Sequence, residues 1–177
     1  MSTTHWVTIT NLPADGREFT FTEQSIWSEP LQEFGLPWRI VEPLRASVFL
    51  LPQKDGCYIR GSLKGELEMA CHRCAEPARV PVHRDFELFE QLPDEEADDL
   101  EALSPGFLRE NDEILELDVA GILWEELQLA VPDKVLCAAE CLGLCPHCGA
   151  NLNTNSCDCA SEEGDPRMAV FRKLKVH

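Results

Sequence analysis

Basic residues are scarce in this sequence of 177 residues, which has 15 lysines and arginines against 32 aspartates and glutamates. The formal net charge of −17 argues against non-specific phosphate binding, which needs a basic surface that releases counterions. Such a chain is more compatible with a basic protein partner, or with simple solubility. Charge alone therefore argues against a general nucleic-acid-binding surface.

Long apolar runs are also missing, because no stretch approaches the roughly 20 apolar residues of a membrane helix. The first residues, MSTTHWVTITNLP, contain neither the basic region nor the apolar core of a secretion signal. We therefore expect a cytoplasmic protein with no membrane contact. The hydrophobic residues, 44% of the chain, suffice for the core of one domain with a small appendage.

The common enzyme motifs are missing as well. There is no G-x-S-x-G, no P-loop and no G-x-G-x-x-G, and no histidine belongs to an H-E-x-x-H pattern. His147 lies between two cysteines and is more typical of a turn residue than of a catalytic base. We therefore expect no enzyme activity, no catalytic residue and no small-molecule substrate.

Cysteine, in contrast, is abundant: the nine cysteines are an odd number, and in a reducing compartment they favour metal ligation over disulfides. Two cysteines spaced by two residues can hold one ion from a tight turn. A following glycine, here Gly149, tolerates a positive φ. We predict a tetrahedral zinc site at Cys145, Cys148, Cys157 and Cys159. An iron–sulfur cluster is the alternative, because cysteine ligates both.

Another group of four cysteines remains once Cys57, which stands alone, is set aside. Its members are Cys71, Cys74, Cys137 and Cys141. One ion held by all four would join a hairpin tip to the start of the C-terminal segment, giving two zinc ions in total. The alternatives are reduced thiols in a turn, or a redox pair, which normally precedes a helix.

Two runs of alternating polarity, residues 58–69 and 79–92, predict a long antiparallel hairpin with Cys71 and Cys74 at its tip. A helix over 118–131, with Asp118 as its N-cap, should cover the apolar face of the sheet. We therefore predict an α+β fold, in which an antiparallel sheet with a long hairpin is packed by a helix and followed by a C-terminal zinc-ribbon-like module. Other predicted elements are strands at 5–12, 39–50 and 112–117 and a short helix that starts at Ser28-Glu29-Pro30.

An acidic block at residues 94–101, with six acidic residues in eight, is typical of a solvated linker, and a binding role is the alternative. We place a sheet-and-helix core domain at 1–134, with this linker inside it. The cysteine-rich metal-binding module and a terminal helix that opens at Asp165-Pro166 occupy 135–177.

Basic side chains cluster in the terminal helix and, less clearly, on the hairpin. They are weak candidates for contacts to RNA or to a partner: Arg73, Arg79, Arg167, Arg172, Lys173 and Lys175. A basic helix on an acidic body can equally dock against the protein's own surface. Hairpin arginines can likewise pair with glutamates across strands.

Five segments occur in a characteristic order: the CHRC hairpin, LDVAGILWEELQLAVPDKVLC, CLGLCPHCGANLN, CDC and DPRMAVFRKL. Together they resemble the YceD family, the large ribosomal RNA subunit accumulation proteins. The resemblance covers roughly residues 45–174 and is most specific at GLCPHCGANLN and DPR.

The resemblance implies a ribosome biogenesis factor that promotes accumulation of 23S ribosomal RNA. The implied partners are a basic large-subunit ribosomal protein, the 23S rRNA precursor, or both, because bacterial members are commonly encoded beside a small zinc-bearing protein of that subunit. Many members lack some or all of the cysteines, and the family supplies no catalytic residue. The alternative is a zinc-binding interaction module outside translation, for example one associated with the transcription machinery.

Overall fold

A computed structural model of the chain describes residues 5–92, 106–111 and 114–159. Its elements, in chain order, are β1 (Trp6–Thr8), β2 (Arg17–Phe21), α1 (Ser25–Glu33), β3 (Arg39–Gln53), β4 (Gly56–Ala70), β5 (Pro77–Gln91), β6 (Leu108–Asn111), β7 (Ile114–Asp118) and α2 (Val119–Ala130).

The larger sheet joins four antiparallel strands in the order β2-β3-β4-β5. β4 and β5 pair along their whole length, which confirms the predicted hairpin over 58–92 and places its tip at residues 71–76. The alternation of polarity is confirmed too, because Ile59, Leu63 and Leu67 are completely buried on one face of β4. The hairpin therefore presents one apolar face to the core.

The smaller sheet has the strand order β1-β7-β6 and leads directly into α2. The Asp118 side chain accepts a hydrogen bond of 3.0 Å from the Gly121 amide, so the predicted N-cap is confirmed. α2 buries Ile122, Leu123 and Leu127 and packs against β4, β5 and β1. The α+β architecture, with a helix on the hairpin sheet, is confirmed.

One buried charge joins α2 to the hairpin. Glu126 is 7% exposed, and one of its carboxylate oxygens accepts a hydrogen bond of 2.8 Å from Nε of Arg84 on β5. A buried carboxylate needs such a partner, because its desolvation is costly. The pair therefore fixes the helix on the sheet with a polar contact inside an apolar interface.

The position of α1 differs from the sequence-based prediction. The helix begins at Ser25 rather than at Ser28, and Pro30 lies in its interior. Proline prefers the first turn because it donates no backbone hydrogen bond. Here the burial of Ile26 and Trp27 extends the helix toward its N-terminus by almost a turn and outweighs that preference.

Several predicted features lie outside the described residues: the acidic linker at 94–101 and the terminal helix that opens at Asp165-Pro166. The domain boundary between 134 and 135 stays a prediction. In the part of the chain that the structure describes, neither helix has the length and apolar character needed to cross a membrane.

Candidate metal centres

The first cysteine pair lies in the tight turn that joins β4 to β5. The Cys71 amide donates to the Glu76 carbonyl (2.8 Å), and the Ala75 amide donates to the Cys71 carbonyl (2.9 Å). The chain can close this turn because Ala75 adopts a positive φ of 61°. The Cys71 and Cys74 side chains are both buried. We call residues 71–76 the first knuckle.

Residues 135–141 bring the other two cysteines to this knuckle. His72 and Val135 form a reciprocal contact: the His72 amide donates to the Val135 carbonyl (2.8 Å), and the Val135 amide donates to Nδ1 of His72 (3.3 Å). The sulfur of Cys141 then lies 3.8 Å from that of Cys71. The structure thus brings together the four cysteines predicted for the first site, whose sulfurs all lie within 4.8 Å of one another.

The second site repeats the same local design. The Cys145 amide donates to the Ala150 carbonyl (2.8 Å), and the Gly149 amide donates to the Cys145 carbonyl (2.9 Å). Gly149 has a φ of 73°. We call residues 145–150 the second knuckle. The sulfurs of this second site, Cys145, Cys148, Cys157 and Cys159, again lie within 4.8 Å of one another.

The spacing of the sulfurs fits a tetrahedral ion. With metal–sulfur bonds of about 2.3 Å, the edges of a four-thiolate tetrahedron are about 3.8 Å long. In the first site, the distances are 3.8 Å between Cys71 and Cys141 and 3.5 Å between Cys74 and Cys137. A disulfide would need about 2.05 Å, and all nine cysteines are reduced thiols. Each group could therefore hold one metal ion.

Hydrogen bonds divide the thiols of each site into two kinds. Burial alone would raise the pKa of Cys71, but backbone amides, those of Arg73 and Cys74 among them, lower it to about 6. The backbone amides of Cys148 and His147 likewise lower the pKa of Cys145 to about 6. These amides favour the thiolate, so each knuckle presents a negatively charged sulfur that would attract a cation.

The other pair in each site contains a thiol with the opposite shift. The neighbouring thiols Cys74 and Cys141 raise the pKa of Cys137 to about 12. The side-chain hydrogen bond with Cys148 is the main reason that the pKa of Cys159 is raised to about 12. Four crowded thiolates repel one another, so they cannot all ionise without a cation among them.

Sequence reasoning missed two residues that organise the first site. His72 positions Val135 through the contacts above. Asn153, in the GANLN segment, donates from Nδ2 to the Cys141 sulfur over 3.3 Å. The available signals were a polar side chain inside a ligand pair, for His72, and one in the loop between two ligand pairs, for Asn153. Neither residue is a ligand; each holds a ligand-bearing segment in place.

The basic candidates on the hairpin are engaged within the protein. Arg73 donates to the Cys141 carbonyl (2.6 Å). Arg79 donates to Glu66 (2.8 Å) and lies 3.7 Å from Glu68. Their role in binding stays a prediction. The four basic candidates near the C-terminus, Arg167, Arg172, Lys173 and Lys175, lie outside the described residues.

Comparison with known proteins gives two similar curated relatives, both named large ribosomal RNA subunit accumulation protein YCED homolog 1, chloroplastic. The relative from Arabidopsis thaliana is 25% identical over 158 residues, which cover 75% of this chain and 49% of the relative. The relative from Zea mays is 28% identical over 142 residues, which cover 66% of this chain and 48% of the relative. The chain therefore spans about half the length of the curated relatives it matches. No solved structure matches it.

A family model matches the larger part of the chain. It covers residues 59–175 and is described as large ribosomal RNA subunit accumulation protein YceD. The matched region contains most of β4, all of β5 and α2, and both groups of four cysteines, so it includes nearly all of the hairpin and the two candidate metal centres. The chain belongs to the YceD family of large ribosomal RNA subunit accumulation proteins.

Proposed function

We propose that this protein promotes accumulation of 23S ribosomal RNA as a non-enzymatic assembly factor of the large ribosomal subunit. The observation that carries the proposal is the family match over residues 59–175. The proposed location is the cytoplasm, where a bacterial large subunit is assembled. The cellular test is depletion of the protein, followed by quantification of 23S against 16S ribosomal RNA. A selective loss of 23S RNA is expected, and an unchanged ratio would contradict the proposal.

We further propose that both cysteine groups hold structural zinc. Zinc prefers four thiolates in a tetrahedron, and a site whose four positions are all filled by protein leaves none open for a substrate. This closed coordination supports a structural rather than a catalytic role. Elemental analysis of anaerobically purified protein should give about two zinc ions per chain. A value near one would show that only one of the two groups binds zinc. Iron together with visible absorbance would show that the cysteines hold an iron–sulfur cluster instead of zinc.

A basic protein is the proposed main partner, with RNA contacts secondary. The net charge of −17 repels RNA, and an ion held by four thiolates leaves each metal site negative. Several arginines of the described residues are also neutralised by a glutamate: Arg39 by Glu68, Arg79 by Glu66, Arg84 by Glu126 and Arg109 by Glu116. Opposite net charge would speed association with a basic ribosomal protein and make it sensitive to salt.

The outer face of the larger sheet offers a surface that fits such a partner. A groove of about 480 Å³ is lined there by the carboxylates Glu18, Asp85 and Glu87 and by the Phe49 ring. The protein's own Arg60 guanidinium lies 5.5 Å from the centre of that ring. A partner's arginine could make the same cation–π contact on an aromatic ring while the carboxylates balance its charge.

Binding measurements across a salt series test this route. The purified protein is titrated with the basic, zinc-bearing large-subunit protein that bacterial relatives are encoded beside, and separately with 23S RNA fragments. A variant with Glu18→Gln, Asp85→Asn and Glu87→Gln should bind the ribosomal protein more weakly, by about tenfold or more. The matched control carries Asp55→Asn, Asp133→Asn and Glu140→Gln, which remove the same charge from exposed positions outside the groove, and should lose much less.

Three other outcomes would each redirect the proposal. If both variants lose the same affinity for the ribosomal protein, that protein remains the partner but the groove is not its binding site. Tight RNA binding without protein binding would make RNA the partner. Each phosphate contact then removed by mutating Arg167, Arg172, Lys173, Lys175, Arg73 or Arg79 should lower the salt slope by about one. Binding to neither, with capture of transcription proteins from a lysate treated with RNase, would favour a role outside translation.

A further inference from the structure

The loop inside the second site reaches across to the first site. Residues 149–156 lie between Cys148 and Cys157, both of the second group. Within this loop, Asn151 forms an isolated antiparallel bridge with Leu144. The Leu152 amide donates to the Gly143 carbonyl over 2.9 Å. The loop is therefore attached to residues 142–144, the segment that follows Cys141 of the first site.

The side chain of Asn153 makes the most direct connection between the sites. Its Nδ2 lies 3.3 Å from the Cys141 sulfur and donates to it. Its Oδ1 accepts a hydrogen bond of 2.8 Å from the Leu142 amide. One amide thus holds both the sulfur of a first-site ligand and the backbone directly after it. An amide that donates to a ligand sulfur stabilises the thiolate and fixes its direction.

Further contacts keep Asn153 in place and reach the first knuckle. Oδ1 of Asn151 accepts from the Asn153 amide (3.0 Å) and from Nδ2 of Asn153 (2.8 Å). Nδ2 of Asn151 lies 3.5 Å from the Glu76 carboxylate. On the other side, the Leu144 amide donates to the Arg73 carbonyl (3.1 Å). The first knuckle is therefore contacted from the loop by Asn151 and from the segment before the second knuckle by Leu144.

Closure of this loop depends on the second site. Asn153 is exposed, so little burial holds it, and ordering an exposed loop costs conformational entropy for every residue fixed. An ion bound to all four cysteines of the second group fixes both ends of the loop. The free energy of metal binding then offsets the entropic cost of ordering the loop. Without the ion, the same entropy opposes the hydrogen bonds that Asn153 makes to the first site.

We propose that the two metal centres are thermodynamically coupled through Asn153, so that an ion in the second site raises the affinity of the first. The inference rests on the proposal that both cysteine groups hold an ion, and it is independent of the role in ribosome assembly. Because coupling of binding free energies is reciprocal, an ion in the first site raises the affinity of the second by the same factor. Loss of a contact to a ligand typically weakens metal binding about 10–100-fold, so a factor of about tenfold is expected.

The test is a chelator competition on the full chain loaded with Co²⁺, whose thiolate absorption reports site occupancy. First-site affinity is compared among the wild type, Asn153→Ala, Cys148→Ser/Cys159→Ser, and the combination of all three changes. Both Asn153→Ala and the cysteine variant should weaken the first site about tenfold. The combination should weaken it little further, because both changes remove the same interaction.

The matched control is Asn155→Ala, in the same loop, whose side chain donates to Oγ1 of Thr154 over 3.0 Å; it should leave first-site affinity within about twofold. The reciprocal measurement uses Cys71→Ser/Cys137→Ser and should weaken the second site by a similar factor. Unchanged first-site affinity in the cysteine variant, or additive losses in the combination, would overturn the coupling. A wild-type chain that binds fewer than two ions would instead overturn the metal sites themselves.

Discussion

Ala75 and Gly149 occupy the same position in two copies of one turn. Each follows the second cysteine of a Cys-x-x-Cys pair, has a positive φ (61° and 73°), and donates its amide to the carbonyl of the first cysteine over 2.9 Å. In each turn, the first cysteine's own amide donates to the residue five positions later. The two candidate metal centres therefore share the same backbone turn, although one copy has alanine where the other has glycine.

This relationship predicts opposite effects for two exchanges. Ala75→Gly should stabilise the metal-loaded protein by about 0.5–1 kcal/mol, because glycine adopts a positive φ without strain. Gly149→Ala should destabilise it by a similar amount, about 0.5–1 kcal/mol, from backbone strain alone, since a Cβ at Gly149 would meet nothing within 4 Å. Thermal unfolding of both variants and of their combination provides the measurement. The combination should return close to wild-type stability, and a neutral Gly149→Ala would contradict the shared design.

Removal of metal should unfold one part of the chain selectively. Zinc binding to structural sites is worth about 10–16 kcal/mol in small peptides, whereas the hairpin sheet has its own buried core. Chelation should therefore abolish hydrogen-exchange protection in residues 137–159 while β3, β4 and much of β5 stay protected. Exchange measured by mass spectrometry before and after chelation tests this. Unchanged protection in 137–159 would mean that the cysteines are not structural ligands.

The affinity of the first site for metal should rise with pH. Binding must displace protons from Cys74 and Cys137, whose pKa values are raised, whereas Cys71, with a pKa of about 6, is mostly ionised at pH 7. The protons of these two thiols alone give a rise of about 100-fold per pH unit near pH 7. Below about pH 6, Cys71 is protonated as well, so affinity falls more steeply with falling pH.

Chelator competition between pH 5.5 and 8 measures this dependence, with correction for protonation of the chelator itself. The variant Cys148→Ser/Cys159→Ser isolates the first site. A slope close to zero across this range would show that the thiols of the metal-free site are already ionised, against the pKa pattern of the four sulfurs.

The pair formed by Arg84 and Glu126 should matter more for stability than the exposed ion pairs. Arg84→Met leaves a buried carboxylate without its partner, and such losses cost about 3 kcal/mol; because the arginine itself is partly exposed, we expect about 2 kcal/mol. Arg39→Met, at the exposed pair with Glu68, should cost less than about 1 kcal/mol. Urea denaturation compares the two variants. Equal losses would show that Glu126 is solvated when its partner is removed.

The sequence predicted the elements whose signals are local. The hairpin over 58–92 follows from period-two alternation in two adjacent runs. The two groups of four cysteines follow from the number of ligands an ion needs. Features that depend on distant partners were missed. Glu126 gives no sign of burial in its own helix, because Arg84 lies 42 residues earlier.

Competition between signals explains the remaining differences. The sequence signal at Ser28-Glu29-Pro30 predicted the wrong start for α1. The helix begins earlier because Ile26 and Trp27 are buried, and their burial depends on where the sheet lies. β2 and β6, which are five and four residues long, were not predicted; each is an edge strand that, among the described residues, pairs on one side only. The role of Asn153 depends on the position of Cys141, which a loop sequence does not specify.

The four ligands of the first candidate metal centre are synthesised at different times. Cys71 and Cys141, which contribute to one site, are 70 residues apart in sequence. Ribosomes add about 5–20 residues per second, so the first knuckle waits roughly 4–14 s for its other two ligands. Throughout that interval the two thiols of the turn lack the other two sulfurs of their site and are open to oxidants and to competing soft metals. A nascent chain made under oxidative stress or copper excess should therefore be damaged at Cys71 and Cys74, whereas the completed protein is protected.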